Sequence, residues 1–257
     1  KFKKNNGTLP LYIRGSNSIK SINYEEYRAS AQCKTAVCLA ALHARGITKL
    51  KCKPSRDHTE ILFKYLEIPI KIRKTKNFDY IEIKQKKDFK SFNYNIPGDP
   101  SSSSFLIILA LLSENSKITI KNVNINPTRI GMITILKMMG ASIEFKNKRT
   151  YKGEKIASIV CKSTSNLRAV NLPQTFNNSS AIDEFILIFI CSAFAKGISI
   201  YRGLEELNQK ESKRLDWGFK ILKMIGIKTR KISNNGIKIY GNPNLRLDKL
   251  FIIKHYL

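Results

Sequence analysis

The sequence predicts an α/β (α+β) layered fold in two domains, and three observations predict it. A run of small polar residues, apolar helix and strand occurs three times; each copy is followed by a second helix headed by an arginine; and one stretch rich in Pro and Gly divides the copies.

The first copy opens with ASAQCKTAVCLAALHARGITKLKC, residues 29–52, in which small polar residues lead into an apolar helix and Gly46 precedes a strand. Its second helix is SRDHTEILFKYLEIPIKI, residues 55–72, with Arg56 near the start and an apolar stripe at Ile61, Leu62, Tyr65 and Leu66. The following IKIRKTKNFDYIEIK, residues 70–84, reads as a hairpin: KTKNFD is the exposed turn, and Tyr80, Ile81 and Ile83 lie on the return strand. NYNIPGDPSSSS, residues 93–104, then interrupts regular structure with two prolines and a glycine, which predicts domains at 1–97 and 98–257. The second copy is SSSSFLIILALLSENSKITIKNV, residues 101–123, with NPTRIGMITILKMMGASIEF, residues 126–145; its arginine is Arg129. Ser101 to Ser104 read as N-cap chemistry for the helix they open. The third copy is SSAIDEFILIFICSAFAKGISIYRG, residues 179–203, with KESKRLDWGFKILKMIGIKTRKI, residues 210–232; its arginine is Arg214, and Ile221, Leu222 and Ile225 extend a core stripe. One copy before the break and two after it is an uneven division for a repeat protein, whose copies need neighbours to bury their faces.

At 257 residues and 42% hydrophobic content the chain can build real cores. The run FILIFICSAFA, residues 185–195, is far shorter than the ~20 residues that span a bilayer, so it is expected as a buried helix and no membrane partner is expected. No apolar signal segment follows the basic start. The five cysteines form no C-x-x-C pair, so no metal site or redox dithiol is expected, and their odd number fits reduced thiols in a cytoplasm. The net charge of +27 points to anionic partners. Its lysines are dispersed along a chain also rich in Asn and Ile, and no nucleic-acid-binding motif is visible, so small anionic substrates are expected rather than nucleic acid.

Helix N-termini carry unpaired N–H groups and the positive end of the dipole, so several converging heads make an anion site. Capping alone accounts for Ser and Asp at such positions, but not for an arginine on every second helix. In KESKR, residues 210–214, a charge run would ordinarily face water. Nor does capping account for Asp183 and Glu184 directly before an apolar run, where service to the helix dipole and a site role are both open.

Six landmarks together resemble 5-enolpyruvylshikimate-3-phosphate (EPSP) synthase, the 3-phosphoshikimate 1-carboxyvinyltransferase family: ASAQCK (29–34), SRDHTE (55–60), IPGDPSSSSF (96–105), NPTRIG (126–131), IDEF (182–185) and EELNQKESKR (205–214). The likeness runs from LPLYIRG (9–15) to about Gly241. It implies an inverse α/β barrel of repeated βαβαββ units in two domains, incomplete in this chain, and a monomer. The implied reaction moves the enolpyruvyl group of phosphoenolpyruvate to the 5-hydroxyl of shikimate 3-phosphate, releases phosphate and uses no cofactor. Carried over by position, Ser30, Ala31 and Gln32 hold substrate, the serine and the Ala31 N–H on the shikimate phosphate, and Arg56 faces the same phosphate. Asp183 binds the 4- and 5-hydroxyls and is a candidate base. Lys210 lies at the reacting oxygen, Glu211 exchanges a proton with the methylene carbon, and Arg214 binds the phosphoenolpyruvate carboxylate. Placed at a helix start, Lys210 and Arg214 would share a face.

The family commonly has Arg where this chain has Asn208 and Asp where it has Lys213, a cation expected to lower the pKa of Glu211. Its Lys-Ser, Asn-x-Gly-Thr and Asp-His-Arg motifs are expected outside residues 1–257, which makes the chain an internal fragment, inactive alone. A UDP-N-acetylglucosamine enolpyruvyltransferase-like enzyme is disfavoured by SRDHTE and by the KES-x-R pattern at 210–214. An RNA 3′-phosphate cyclase-like or anion-binding module suits the charge, but none of His43, His58 and His255 sits in the histidine motif that the cyclase requires. His58 is expected to be a helix-cap neighbour.

Overall fold

The computed structural model describes residues 12, 14–232 and 235–247; the landmark at 9–15 lies partly, and the tail FIIKHYL wholly, outside them. The chain divides into two compact units, Lys1–Pro54 with Thr59–Phe92, and Ser55–His58 with Asn93–Leu257.

The first unit contains β1 (Ile19–Lys20), β2 (Asn23–Glu26), α1 (Ala31–Ala41), β3 (Ala44–Arg45), β4 (Ile47–Cys52), α2 (His58–Tyr65) from Thr59 onward, β5 (Ile70–Lys74) and β6 (Asp79–Lys84). Its sheet has the order β2-β4-β6-β5, with β2 parallel to β4 and the other pairs antiparallel, and β1 makes a short parallel pair with β3. Alternation sets the sheet's faces: Thr48, Leu50 and Cys52 of β4 and Ile81 and Ile83 of β6 are buried, while Ile47 and Lys49 are exposed. Cys38 of α1 and Phe63 of α2 complete that core. The expected hairpin is present, its turn closed by Thr75 N–H on the Phe78 carbonyl at 2.9 Å. A parallel first strand, two helices and a terminal hairpin make this one complete βαβαββ motif.

The second unit repeats the motif twice with the first strand nearly lost. One copy is α3 (Pro100–Leu112), β7 (Lys117–Asn124), α4 (Gly131–Met138), β8 (Ile143–Tyr151) and β9 (Glu154–Lys162). The other is α5 (Phe185–Ala193), β10 (Gly197–Tyr201), α6 (Arg214–Met224), β11 (Thr229–Ile232) and β12 (Gly236–Gly241). Their sheets run β7-β9-β8 and β10-β12-β11, the order of the first unit without its edge strand. That strand survives as parallel bridges, Gly98 to Val123 in one copy, Arg168 to Lys196 and Asn171 to Ile200 in the other. The return strands β9 and β12, located from alternation only in the first copy, complete the βαβαββ order that the resemblance implies.

The apolar run forms α5 and is buried as expected. Phe185, Phe189 and Tyr201 pack with ring centroids 5.5 to 6.0 Å apart, and the Tyr201 hydroxyl meets the Ser192 hydroxyl at 2.7 Å. Gly218 lets α6 close on this cluster, because a Cβ there would stand 2.7 Å from the Phe189 ring. Gly131 does the same at the head of α4: a Cβ would stand 2.3 Å from the Ser180 hydroxyl, in the turn that leads to Asp183. Among the described residues no helix is long and apolar enough to cross a membrane.

Candidate functional site

Asp183 follows a 3₁₀ turn, Asn178–Ala181, and stands two residues before α5. The turn is pinned at its start. Asn177 Oδ1 accepts the Ser179 N–H at 3.1 Å, and Asn178 Nδ2 donates to the Arg202 and Gly203 carbonyls at 2.8 and 2.9 Å. Ile182 and Phe185 are buried on either side, so the intervening carboxylate has little freedom to turn.

Two arginines from two repeat copies meet there. Arg56 Nη2 donates to Asp183 Oδ2, and Arg214 Nη1 donates to Asp183 Oδ1 at 2.6 Å. Arg214 then turns its Nη2 to Glu211 Oε2 at 3.1 Å. Partial burial pushes the Asp183 pKa up, but hydrogen bonds from Arg214 and Arg56 and their charges outweigh it and hold the pKa down at about 2. The Glu211 pKa is also lowered, by its own backbone N–H first, then by the charge of Arg214 and, less strongly, that of Lys210. The lowering is in the expected direction, and the cations that lead it are Arg214 and Lys210.

The third repeat arginine has a different partner. Arg129 Nη2 donates to Asp99 Oδ1 at 2.5 Å and to Ser101 Oγ at 2.8 Å, and Ser101 in turn donates to Glu184 Oε1. Burial raises the Glu184 pKa, with the Ser101 hydrogen bond opposing it. Asp183 and Glu184 are thus both tied by side chains instead of simply serving the helix dipole. The cap of α3 is Asp99, which accepts the Ser102 N–H at 2.9 Å; Ser101 to Ser104 lie inside the helix after Pro100, not at its cap.

His58 is more than a cap neighbour. Its Nδ1 lies 2.5 Å from Glu154 Oε1, and Asn124 Nδ2 donates to Glu154 Oε2 at 3.0 Å. Asn126 Nδ2 reaches Asp57 Oδ1 at 2.8 Å. This network fixes the 55–58 segment that carries Arg56. Sequence reasoning missed it because Glu154 belongs to β9, a strand whose position was not located in the sequence of its copy.

The KESKR segment departs from its expected geometry. The helix starts at Arg214, and Lys210 precedes it with an extended backbone, φ −83° and ψ −176°, so the two do not share a helix face. Lys213 at the helix N-cap makes no side-chain cap bond. Asn208 takes that role at a distance: its Oδ1 accepts the N–H groups of Leu215 and Asp216 at 3.0 and 3.3 Å, and its Nδ2 donates to Asp216 Oδ1 at 3.1 Å. The departure at 208 is thereby explained; nothing in the structure explains Lys213, which is exposed. Asn208→Ala should lower stability by about 1 kcal/mol, as loss of a cap does, measured by urea unfolding. An unchanged midpoint would show that the cap contributes nothing.

Ser30, Ala31 and Gln32 belong to the first unit. Ser30 is the N-cap of α1, accepting the Cys33 N–H at 3.2 Å, and Ala31 and Gln32 open the helix. The structure thus joins Arg56, Asp183, Arg214 and Glu211 in one hydrogen-bonded chain, with Lys210 exposed beside it.

The family model described as EPSP synthase (3-phosphoshikimate 1-carboxyvinyltransferase) matches residues 1–248. A 3-phosphoshikimate 1-carboxyvinyltransferase of Ruthia magnifica subsp. Calyptogena magnifica is 40% identical over 240 residues, 93% of this chain and 54% of that relative. One from Acidiphilium cryptum is 36% identical over 225 residues, 87% of this chain and 50% of the relative. The solved EPSP synthase of Acinetobacter baumannii superposes with a TM-score of 0.79 at 34% identity, covering 94% of this chain and 54% of that one. The chain therefore spans about half the length of the relatives it matches.

Proposed function

Because the chain belongs to the EPSP synthase family, we propose that it supplies part of an enzyme that transfers the enolpyruvyl group of phosphoenolpyruvate to the 5-hydroxyl of shikimate 3-phosphate. The observation that carries this reading is the carboxylate of Asp183 held between Arg56 and Arg214. Addition places the 5-oxygen on C2 of phosphoenolpyruvate and a proton on its methylene carbon. Elimination then removes a proton from that carbon and expels inorganic phosphate. The sequence needs a hydroxyl acceptor, a proton donor and acceptor at carbon, and cations for phosphate and carboxylate groups.

In this reading Asp183 accepts from the 4- and 5-hydroxyls, Lys210 meets the 5-oxygen, and Glu211 exchanges the carbon-bound proton. Arg214 takes the phosphoenolpyruvate carboxylate as a bidentate partner. Arg56, Ser30, Gln32 and the Ala31 N–H take shikimate 3-phosphate. With a pKa of about 2 while both arginines hold it, Asp183 is a poor base. Anionic substrates compete for those guanidinium groups, and as they draw them away the carboxylate becomes more basic where the hydroxyl arrives. The reading requires no metal or organic cofactor, and it carries a monomeric cytoplasmic enzyme with it. The relatives' names favour the shikimate 3-phosphate reaction over one on a UDP-sugar.

The test is phosphate release from shikimate 3-phosphate plus phosphoenolpyruvate, assayed on the complete open reading frame containing this chain. Turnover supports the proposal, and its absence in folded protein rejects it. In the active enzyme Glu211→Gln should lower kcat by roughly a hundredfold with folding intact; undiminished kcat would remove Glu211 from the proton transfer.

A further inference from the structure

The sheet β7-β9-β8 has one face on the core and a second face that is concave and basic. A cavity of about 370 Å³ on that face is lined by Lys117, Lys121, Lys146 and Arg149, and no carboxylate is among its lining residues. Strand alternation puts them there. Lys117, Thr119 and Lys121 point out while Ile118 and Ile120 pack against the core. Ser158 and Val160 of β9 form the floor, opposite the core residues Ile159 and Cys161.

Two β-bulges shape the concavity. The register of β7 against β9 shifts between Ile120 and Val123, and that of β8 against β9 shifts between Lys146 and Arg149. Each bulge holds an asparagine in the left-handed region, Asn122 at φ 54° and Asn147 at φ 53°. Arg149 Nη2 donates to Asn122 Oδ1 at 2.9 Å. Because β9 lies between their strands, this bond crosses the sheet face over two strand spacings, roughly 10 Å, and closes one end of the hollow.

Like charges gathered on one face repel one another unless a counter-charge is present. The nearest acidic help is weak: Glu144 Oε2 is 3.9 Å from Lys146 Nζ, with both side chains 61% exposed. Among the described residues Lys117, Lys121 and Arg149 form no ion pair. We propose that this hollow is an anion site, separate from the Asp183 constellation, for an elongated oligophosphate group bearing at least three charges. Spacing selects an elongated anion over orthophosphate. Lys117 and Lys121 stand about 14 Å apart along β7 and Lys146 is two strands away, so one tetrahedral group cannot engage all three.

The experiment titrates the isotope-labelled full chain with inorganic tripolyphosphate, followed by NMR and by calorimetry at fixed salt. Saturable shifts should concentrate on β7, β9 and β8, and affinity should fall roughly tenfold in Lys121→Gln/Lys146→Gln. The control pair Lys220→Gln/Lys223→Gln on α6 should leave it unchanged. Equal weakening by the control pair would reduce the effect to net charge and overturn the proposal. So would shifts centred on Asp183 and Arg214, orthophosphate binding as tightly, or a single-stranded oligonucleotide binding more tightly per phosphate. None of these readouts depends on enolpyruvyl transfer.

Discussion

Asp183→Asn is expected to cost roughly a thousandfold in kcat/KM of the active enzyme and about 1–2 kcal/mol of stability at neutral pH. In the proposed reaction the activity loss would follow from the amide's inability to take a proton from a hydroxyl and from the loss of the charge that fixes Arg56 and Arg214. The stability loss follows from the pKa. A carboxyl held at about 2, against its ordinary 3.8, contributes about 2 kcal/mol when ionised, reduced here because the side chain is 29% exposed. The folded pKa lies below the unfolded one, so this contribution is fully present above about pH 4 and is lost as pH falls toward 2. Urea unfolding of both proteins across pH should show a constant gap from pH 7 to about 5 that closes between about 4 and 2. A gap that stays open through that window would mean that the carboxylate gains nothing from its two arginines.

The repeat was legible in the sequence because each arginine stands at the same place in its copy, and the hairpin of the first unit was legible from alternation. The assignments within the repeat were not. Arg56 and Arg214 share one carboxylate, whereas Arg129 holds Asp99 and Ser101, although all three head a second helix in the same way. A head position fixes where a guanidinium emerges; its partner is decided by which other heads the packing brings near. The first strands of the second unit were invisible for a different reason. A bridge at Gly98 needs only one residue in register, and one residue has no period. Asn208 illustrates a third limit. Its cap acts from six residues before the helix, through a 3₁₀ turn, whereas the rules that recognise caps look at the residue adjoining the first turn. The site residues with family counterparts were named from resemblance, and the networks that hold them, through His58, Glu154 and Ser101, required the fold.

Lys34→Met is expected to destabilise the first unit by about 3–5 kcal/mol, and Lys34→Met/Glu60→Met to recover most of that loss. Lys34 of α1 and Glu60 of α2 form an ion pair at 2.6 Å with side chains 0% and 3% exposed. The single variant removes the ammonium and leaves a carboxylate sealed among Cys38 and Cys52, where Glu60 Oε2 already lacks a hydrogen-bond partner. An unpaired buried charge costs far more than the pair contributes, so removing both charges should return the core to near its original stability. The retained pair has a positional use. Lys34 lies one turn beyond Ser30, and its N–H bonds to the Ser30 carbonyl at 3.1 Å, so the lysine fixes the axial position of the helix head that carries Ser30, Ala31 and Gln32. Thr35 and Thr59 meet at 2.6 Å beside it and hold the same register. Thiol labelling reads this unit alone. Burial, with Glu60's charge next, pushes the Cys38 thiol up to about 12, and burial pushes Cys52 to about 11, so both react only when the unit opens. Labelling of Cys38 and Cys52 should accelerate by about two to four orders of magnitude in Lys34→Met, the factor that about 3–5 kcal/mol sets, and return near the original rate in the double variant. Equal acceleration in the single and double variants would show that the two side chains act by packing volume and that their charges contribute nothing.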